Sequence, residues 1–127
     1  MRLFVVRHAE AAPGEPDELR PLTDAGRAAA RALGDRLGEV GVDAVVTSPL
    51  LRARETGEAI ARGAGVAAEP DERLAPGATV DDVRAAVHGR GAAVVAVCHQ
   101  PDCSEIALAL TGREVPFAPG AVLEVDL

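Results

Sequence analysis

Residues Leu3-Phe4-Val5-Val6-Arg7-His8-Ala9-Glu10 begin with four apolar side chains and then stop abruptly at an arginine and a histidine. An unbroken apolar run bounded by charge reads as a strand buried on both faces, the habit of parallel sheets. The pattern returns at Ala92-Ala93-Val94-Val95-Ala96-Val97-Cys98, which runs into His99-Gln100-Pro101. A shorter version, Val42 to Thr47, leads into Ser48, Pro49 and, one helical turn later, Arg52. The chain has three histidines, and two of them directly follow an apolar run.

Helical patterns fill the intervals. Residues 11 to 22 hold three prolines, a glycine and several acids, and are expected to be a loop. Thr23 is a good N-cap for a helix over Ala25 to Leu37, with Ala29, Leu33 and Leu37 as its inner face and Gly38 and Gly41 as its end. Ser48 is expected to cap a second helix with Pro49 in its first turn, ending near Gly63 and Gly65. Val66 to Glu69 is a brief strand candidate, and residues 70 to 78 a loop. Thr79 with Asp82 has the form of a capping box for a helix from Val80 to His88. Pro101 opens a last helix to Leu110, and Ala121 to Leu127 alternates like an edge strand. Strands alternating with helices predict one domain over residues 1–127, a three-layer α/β/α fold. Its sheet should be mostly parallel, with an antiparallel edge strand.

Composition narrows the function classes. With 127 residues the chain can bury roughly two-thirds of its unfolded surface, so it needs no disulfide or metal staple. Thirteen basic against twenty acidic residues give a net charge of −7, and aromatics are only 2%. Both the phosphate attraction and the base-stacking surface that nucleic-acid binding requires are missing. No apolar run approaches the roughly 20 residues of a membrane span. The segment MRLFVVRH is too short in its apolar part for a signal peptide. A cytoplasmic protein is the expectation. All thirteen basic residues are arginine.

In parallel α/β sheets, ligands bind beyond the carboxyl ends of the strands. Arg7, His8, Ser48, Arg52, His99 and Pro101 all follow strand ends. Guanidinium groups suit phosphate because their planar fork donates paired hydrogen bonds. The helix starts at Pro49 and Pro101 add N–H groups and partial positive charge. Two arginines and two histidines, cationic if both histidines are protonated, disfavour a metal ion. No cysteine or carboxylate stands at zinc spacing. The expected site holds neither metal nor cofactor. Cys98 reads as a small buried hydrophobe, because Ser104 stands six residues on, where a cysteine-phosphatase loop needs arginine.

These residues also carry a resemblance. Leu3 to Glu10, Thr47-Ser48-Pro49-Leu50-Leu51-Arg52-Ala53-Arg54-Glu55-Thr56 and Val97-Cys98-His99-Gln100-Pro101 resemble, in order, three motifs of the histidine phosphatase superfamily, the phosphoglycerate mutase-like fold. Arg7-His8-Ala9, and Arg20-Pro21-Leu22-Thr23 followed by Gly26-Arg27, resemble the small SixA-type phosphohistidine phosphatases. The resemblance implies that His8 is the nucleophile and that Arg7, Arg52 and His99 hold the phosphate. It implies a proton-donating carboxylate after the second helix, for which Glu72 is the candidate. Arg20 and Glu10 are candidate pocket-lining residues. Ala9 stands where the superfamily usually has glycine, which restricts the backbone there.

Larger members carry a helical cap between the second helix and the later strand. Here that stretch, from about Gly63 to Thr79, is too short for one. An open pocket admits a phosphate displayed on a protein. The resemblance therefore implies a phosphatase working through phosphohistidine on His8, with phosphohistidine of a protein as substrate. The alternatives are small phosphomonoesters such as sugar phosphates, or a phosphate-recognition module without turnover.

Overall fold

A computed structural model describes residues 1–127. Its elements, in chain order, are β1 (Arg2–Arg7), α1 (Asp24–Val40), β2 (Ala44–Thr47), α2 (Leu51–Ala64), β3 (Ala68–Pro70), α3 (Val80–Val87), β4 (Ala93–Cys98), α4 (Asp102–Thr111) and β5 (Val122–Asp126). Short 3-10 turns occupy Asp17–Leu19 and Glu72–Leu74. The sheet order is β3-β2-β4-β1-β5, parallel throughout except for β5, which pairs antiparallel with β1 at the edge.

The alternation of side chains along the strands builds two cores. Leu3, Val5, Val94, Ala96 and Cys98 point to one face and pack with Val83 and Val87 of α3 and Ile106 of α4. Phe4, Val6, Val45, Val95 and Val97 point to the other and pack with Leu33 and Leu37 of α1 and Ile60 of α2. Each fully buried valine contributes roughly 1.5–3 kcal/mol relative to exposure. Every residue of β4 is buried, as its unbroken apolar run requires.

Three local expectations are corrected. First, α1 does not stop at Gly38. It runs to Val40, and Gly41, with φ +86°, ends it. Gly38 lies inside the helix, and the position requires glycine because the backbone of α2 comes too close for a side chain: a Cβ there would strike the Gly63 carbonyl. Second, Ala29 is exposed; the inner face is Gly26, Ala30, Leu33, Gly34 and Leu37. Third, Ser48 and Pro49 precede α2, whose cap position is Leu50 with no side-chain cap. Ser48 Oγ instead accepts from the Leu50 N–H within the turn (3.2 Å). The Thr23 cap and the Thr79–Asp82 capping box both form.

The topology sets the site. Neighbouring strands β1 and β4 send their following helices to opposite faces, α1 with one core and α4 with the other. Where parallel neighbours diverge in this way, a crevice opens at their carboxyl ends. Arg7 is in register with Cys98, so His8 and His99 emerge side by side.

Candidate active site

His8 is fixed from several sides. Its backbone N–H donates to the Cys98 carbonyl (3.1 Å), and its carbonyl accepts from Gly120 (3.0 Å). Its Nδ1 lies 2.8 Å from the Ala9 carbonyl. A carbonyl only accepts, so Nδ1 carries the proton, and in the neutral ring Nε2 is left with the lone pair. The Ala9 N–H donates to Thr56 Oγ1 (3.0 Å), and that hydroxyl donates to the Arg52 carbonyl (2.8 Å). One turn of α2 is thereby tied to the turn that carries His8. Ala9 fits without strain, since no non-glycine residue has positive φ.

His99 begins the turn from β4 into α4. Its ring centroid lies 5.3 Å from that of His8, and its Nε2 is 2.7 Å from Ser48 Oγ. Ser48 is held in turn by its N–H on the Val97 carbonyl (3.0 Å). Arg7 donates through Nη1 to the Phe117 carbonyl (2.9 Å). Two buried polar atoms have no protein partner, Arg7 Nε and His99 Nδ1. An unpaired buried polar group costs roughly 1–3 kcal/mol; Arg7 precedes His8 in the chain, and the His99 ring lies 5.3 Å from that of His8.

Arg52 is almost fully buried. It reaches across to a residue the sequence reading passed over, Asp17. Arg52 Nη1 donates to the Asp17 carbonyl (2.9 Å) and Nη2 to its carboxylate (3.2 Å). Arg20 Nη1 donates to the other oxygen of that carboxylate (3.0 Å), while its Nε holds the Ala12 carbonyl (2.8 Å). These two guanidiniums hold the Asp17 carboxyl below the usual carboxylate range. The one available signal was the spacing: Asp17 stands three residues before Arg20 in an otherwise turn-like segment.

Burial changes the charge expected of the histidines. Desolvation comes first in pushing His99 down to about 4, and His8, Arg52 and Arg7 push in the same direction. Desolvation also lowers His8, followed by the positive charges of Arg52, Arg7 and Arg20, against the Ala9 hydrogen bond. At pH 7 the His99 ring is neutral. The positive charge therefore comes from Arg7, Arg20 and Arg52, and the condition that both histidines be protonated is not met.

The remaining candidates lie farther out. The Glu10 carboxylate accepts from Thr23 Oγ1 (2.7 Å) at the N-terminus of α1. Glu72 is exposed in its 3-10 turn. That turn abuts the carboxyl end of β2, because the Asp71 N–H donates to the Thr47 carbonyl (2.8 Å). His88 caps the far end of α3. No group of three or more histidines, cysteines or carboxylates gathers as a metal site would require.

Residues 3–76 match the family model described as histidine phosphatase superfamily (branch 1). An uncharacterized protein of Picosynechococcus is 36% identical over 138 residues, which cover 97% of this chain and 83% of that one. Among solved structures, the protein histidine phosphatase SixA complexed with tungstate superposes with a TM-score of 0.88 at 30% identity. That match covers all of this chain and 88% of the other. A mycobacterial glucosyl-3-phosphoglycerate phosphatase shares the fold at a TM-score of 0.64 and 20% identity, covering 91% of this chain and 80% of that one.

Proposed function

The chain belongs to the histidine phosphatase superfamily, and from that premise we propose that it removes phosphate from phosphohistidine on a protein through a phosphoenzyme on His8. The observation that carries the reading is the His8 ring. It is pinned at Nδ1 by the Ala9 carbonyl and set between Arg7, Arg52 and His99.

The chemistry runs in two displacements. His8 Nε2 attacks phosphorus, and the bond to the substrate's leaving nitrogen breaks as that nitrogen takes up a proton. Water then attacks the phosphorus of phospho-His8, the P–Nε2 bond breaks, inorganic phosphate leaves and the water proton passes to solvent. Phosphoryl transfer asks for position and charge stabilisation more than for covalent assistance. Arg7 and Arg52 supply guanidinium donors to the phosphate oxygens. His99 supplies a neutral donor that gains charge as the dianion arrives, because a nearby negative charge raises an imidazole pKa. Asp17 must yield some of the Arg52 donors to the phosphate.

Two supports favour a protein-borne substrate. Between α2 and α3 lie only β3 and one 3-10 turn, so no cap of the kind larger members carry stands over the strand ends. The SixA relative, named a protein histidine phosphatase, aligns along the whole of this chain. Glu72 serves as proton donor where the leaving group is an alkoxide, and matters less when it is an imidazole, which accepts a proton readily.

The test is a turnover panel of a phosphohistidine-bearing protein, free phosphohistidine and several sugar phosphates. The highest kcat/KM belongs to the phosphoprotein, and Glu72→Gln slows sugar phosphates more than phosphohistidine. A higher kcat/KM on sugar phosphates would assign the enzyme to small phosphomonoesters instead.

A further inference from the structure

Beside the phosphate-binding residues lies a second surface feature, a groove of about 490 Å³ between α4 and the segment that follows it. Pro101 and Leu108 form one wall, and Val115 and Pro116 the other. The two walls are joined at the floor: Ser104 Oγ donates to the Val115 carbonyl (2.8 Å), and Gln100 braces Ser104 through both its amide atoms (2.8 and 3.0 Å). Two carboxylates, Glu105 and Glu114, rim the groove, and neither is engaged in an ion pair. Leu108 is 46% exposed.

Both walls are extensions of site elements. Pro101 is two residues past His99. Pro116 adjoins Phe117, whose carbonyl holds Arg7, and Gly120 of the same segment donates to the Arg7 and His8 carbonyls. Each wall therefore starts from a segment that borders His8 or His99. The surface pairs an arginine-rich pocket with an adjoining apolar trough rimmed by negative charge. Complementarity then specifies the occupant: a phosphate, a nearby apolar side chain and a cationic side chain beside it.

Resting on the reading of the preceding subsection, we propose that this groove docks the segment of the partner protein that flanks its phosphohistidine. An apolar residue lies against Leu108, Val115 and the two prolines, and a lysine or arginine faces Glu105 and Glu114. The groove selects among phosphohistidine proteins, whereas the arginine-rich pocket recognises only the phosphate.

The test uses two peptides with the same phosphohistidine, one flanked by Leu-Lys and the other by Ser-Glu, together with free phosphohistidine. Wild type prefers the Leu-Lys peptide by about tenfold in kcat/KM, the scale of a single well-packed anchor. Leu108→Ser reduces that preference, and Glu105→Lys combined with Glu114→Lys shifts it toward the Ser-Glu peptide. Turnover of free phosphohistidine stays at the wild-type rate in both variants. Equal turnover of the two peptides by wild type, or variants that keep the preference, would overturn the groove and leave the phosphatase reading standing. Loss on free phosphohistidine in step with the peptides would overturn it as well. A wild type that hydrolyses none of the three substrates refutes the underlying activity, and the groove with it.

Discussion

Arg52 shows how one buried side chain joins fold and chemistry. Its guanidinium lies under the strand ends with two of its donors on Asp17, while its carbonyl takes the Thr56 hydroxyl that steadies the turn after His8. A lysine would keep the charge and lose the planar fork. Arg52→Lys is therefore expected to lower kcat/KM by roughly 10²–10³, the cost of removing one preorganised donor from a transition-state site. Steady-state kinetics on free phosphohistidine checks it; a loss under threefold would contradict the assignment. At this scale much was legible. Arg7, His8, Arg52 and His99 could be named because each follows an apolar run, and the structure brings them together. Asp17 could not be named, since an aspartate in a Pro- and Glu-rich turn looks solvated until two arginines are seen to fold onto it. The charge of the histidines was also hidden, because it depends on burial, which residue type does not reveal.

The elements were read most securely where hydrophobic periodicity alone decides them. β4 is buried on both faces and its sequence is apolar at every position; the same reasoning finds β1. Periodicity misjudged α1, because its inner stripe is partly glycine. Gly34 and Gly38 look like helix breakers, at roughly 1 kcal/mol each relative to alanine. In the structure the missing side chains let α1 and α2 approach until a Cβ at Gly34 would lie 2.5 Å from the Ala59 carbonyl oxygen. Close packing outweighs propensity here. Gly34→Ala is expected to destabilise by about 1–3 kcal/mol through overpacking, although alanine is the better helix former. Chemical denaturation measures this, and a stabilised variant would show that the helices can separate at little cost. Since α2 carries Arg52 and Thr56, the same variant should lose activity as well.

At the scale of the whole molecule, the strand order is what a single sequence conceals. His8 and His99 are 91 positions apart by their numbering and meet only because β4 inserts between β2 and β1. The shared crevice also buries both rings, and this couples the site to stability. The folded-state pKa of His99 is depressed to about 4, so the unfolded chain binds a proton below pH 6.5 that the native chain refuses until about pH 4. The contribution of this residue to stability is therefore present above pH 6.5 and is lost as pH falls through that window. His99→Gln should flatten that part of the curve of unfolding free energy against pH; an unchanged slope would contradict the buried neutral imidazole. The central claim, that His8 accepts the phosphoryl group, is tested most directly by trapping. The protein is incubated with a labelled phosphoramidate donor, quenched in the course of turnover and examined for bound label. An acid-labile, alkali-stable label on the wild type, absent from His8→Ala, is the result predicted. Turnover by the wild type with no label at any time, or equal labelling of His8→Ala, would contradict it.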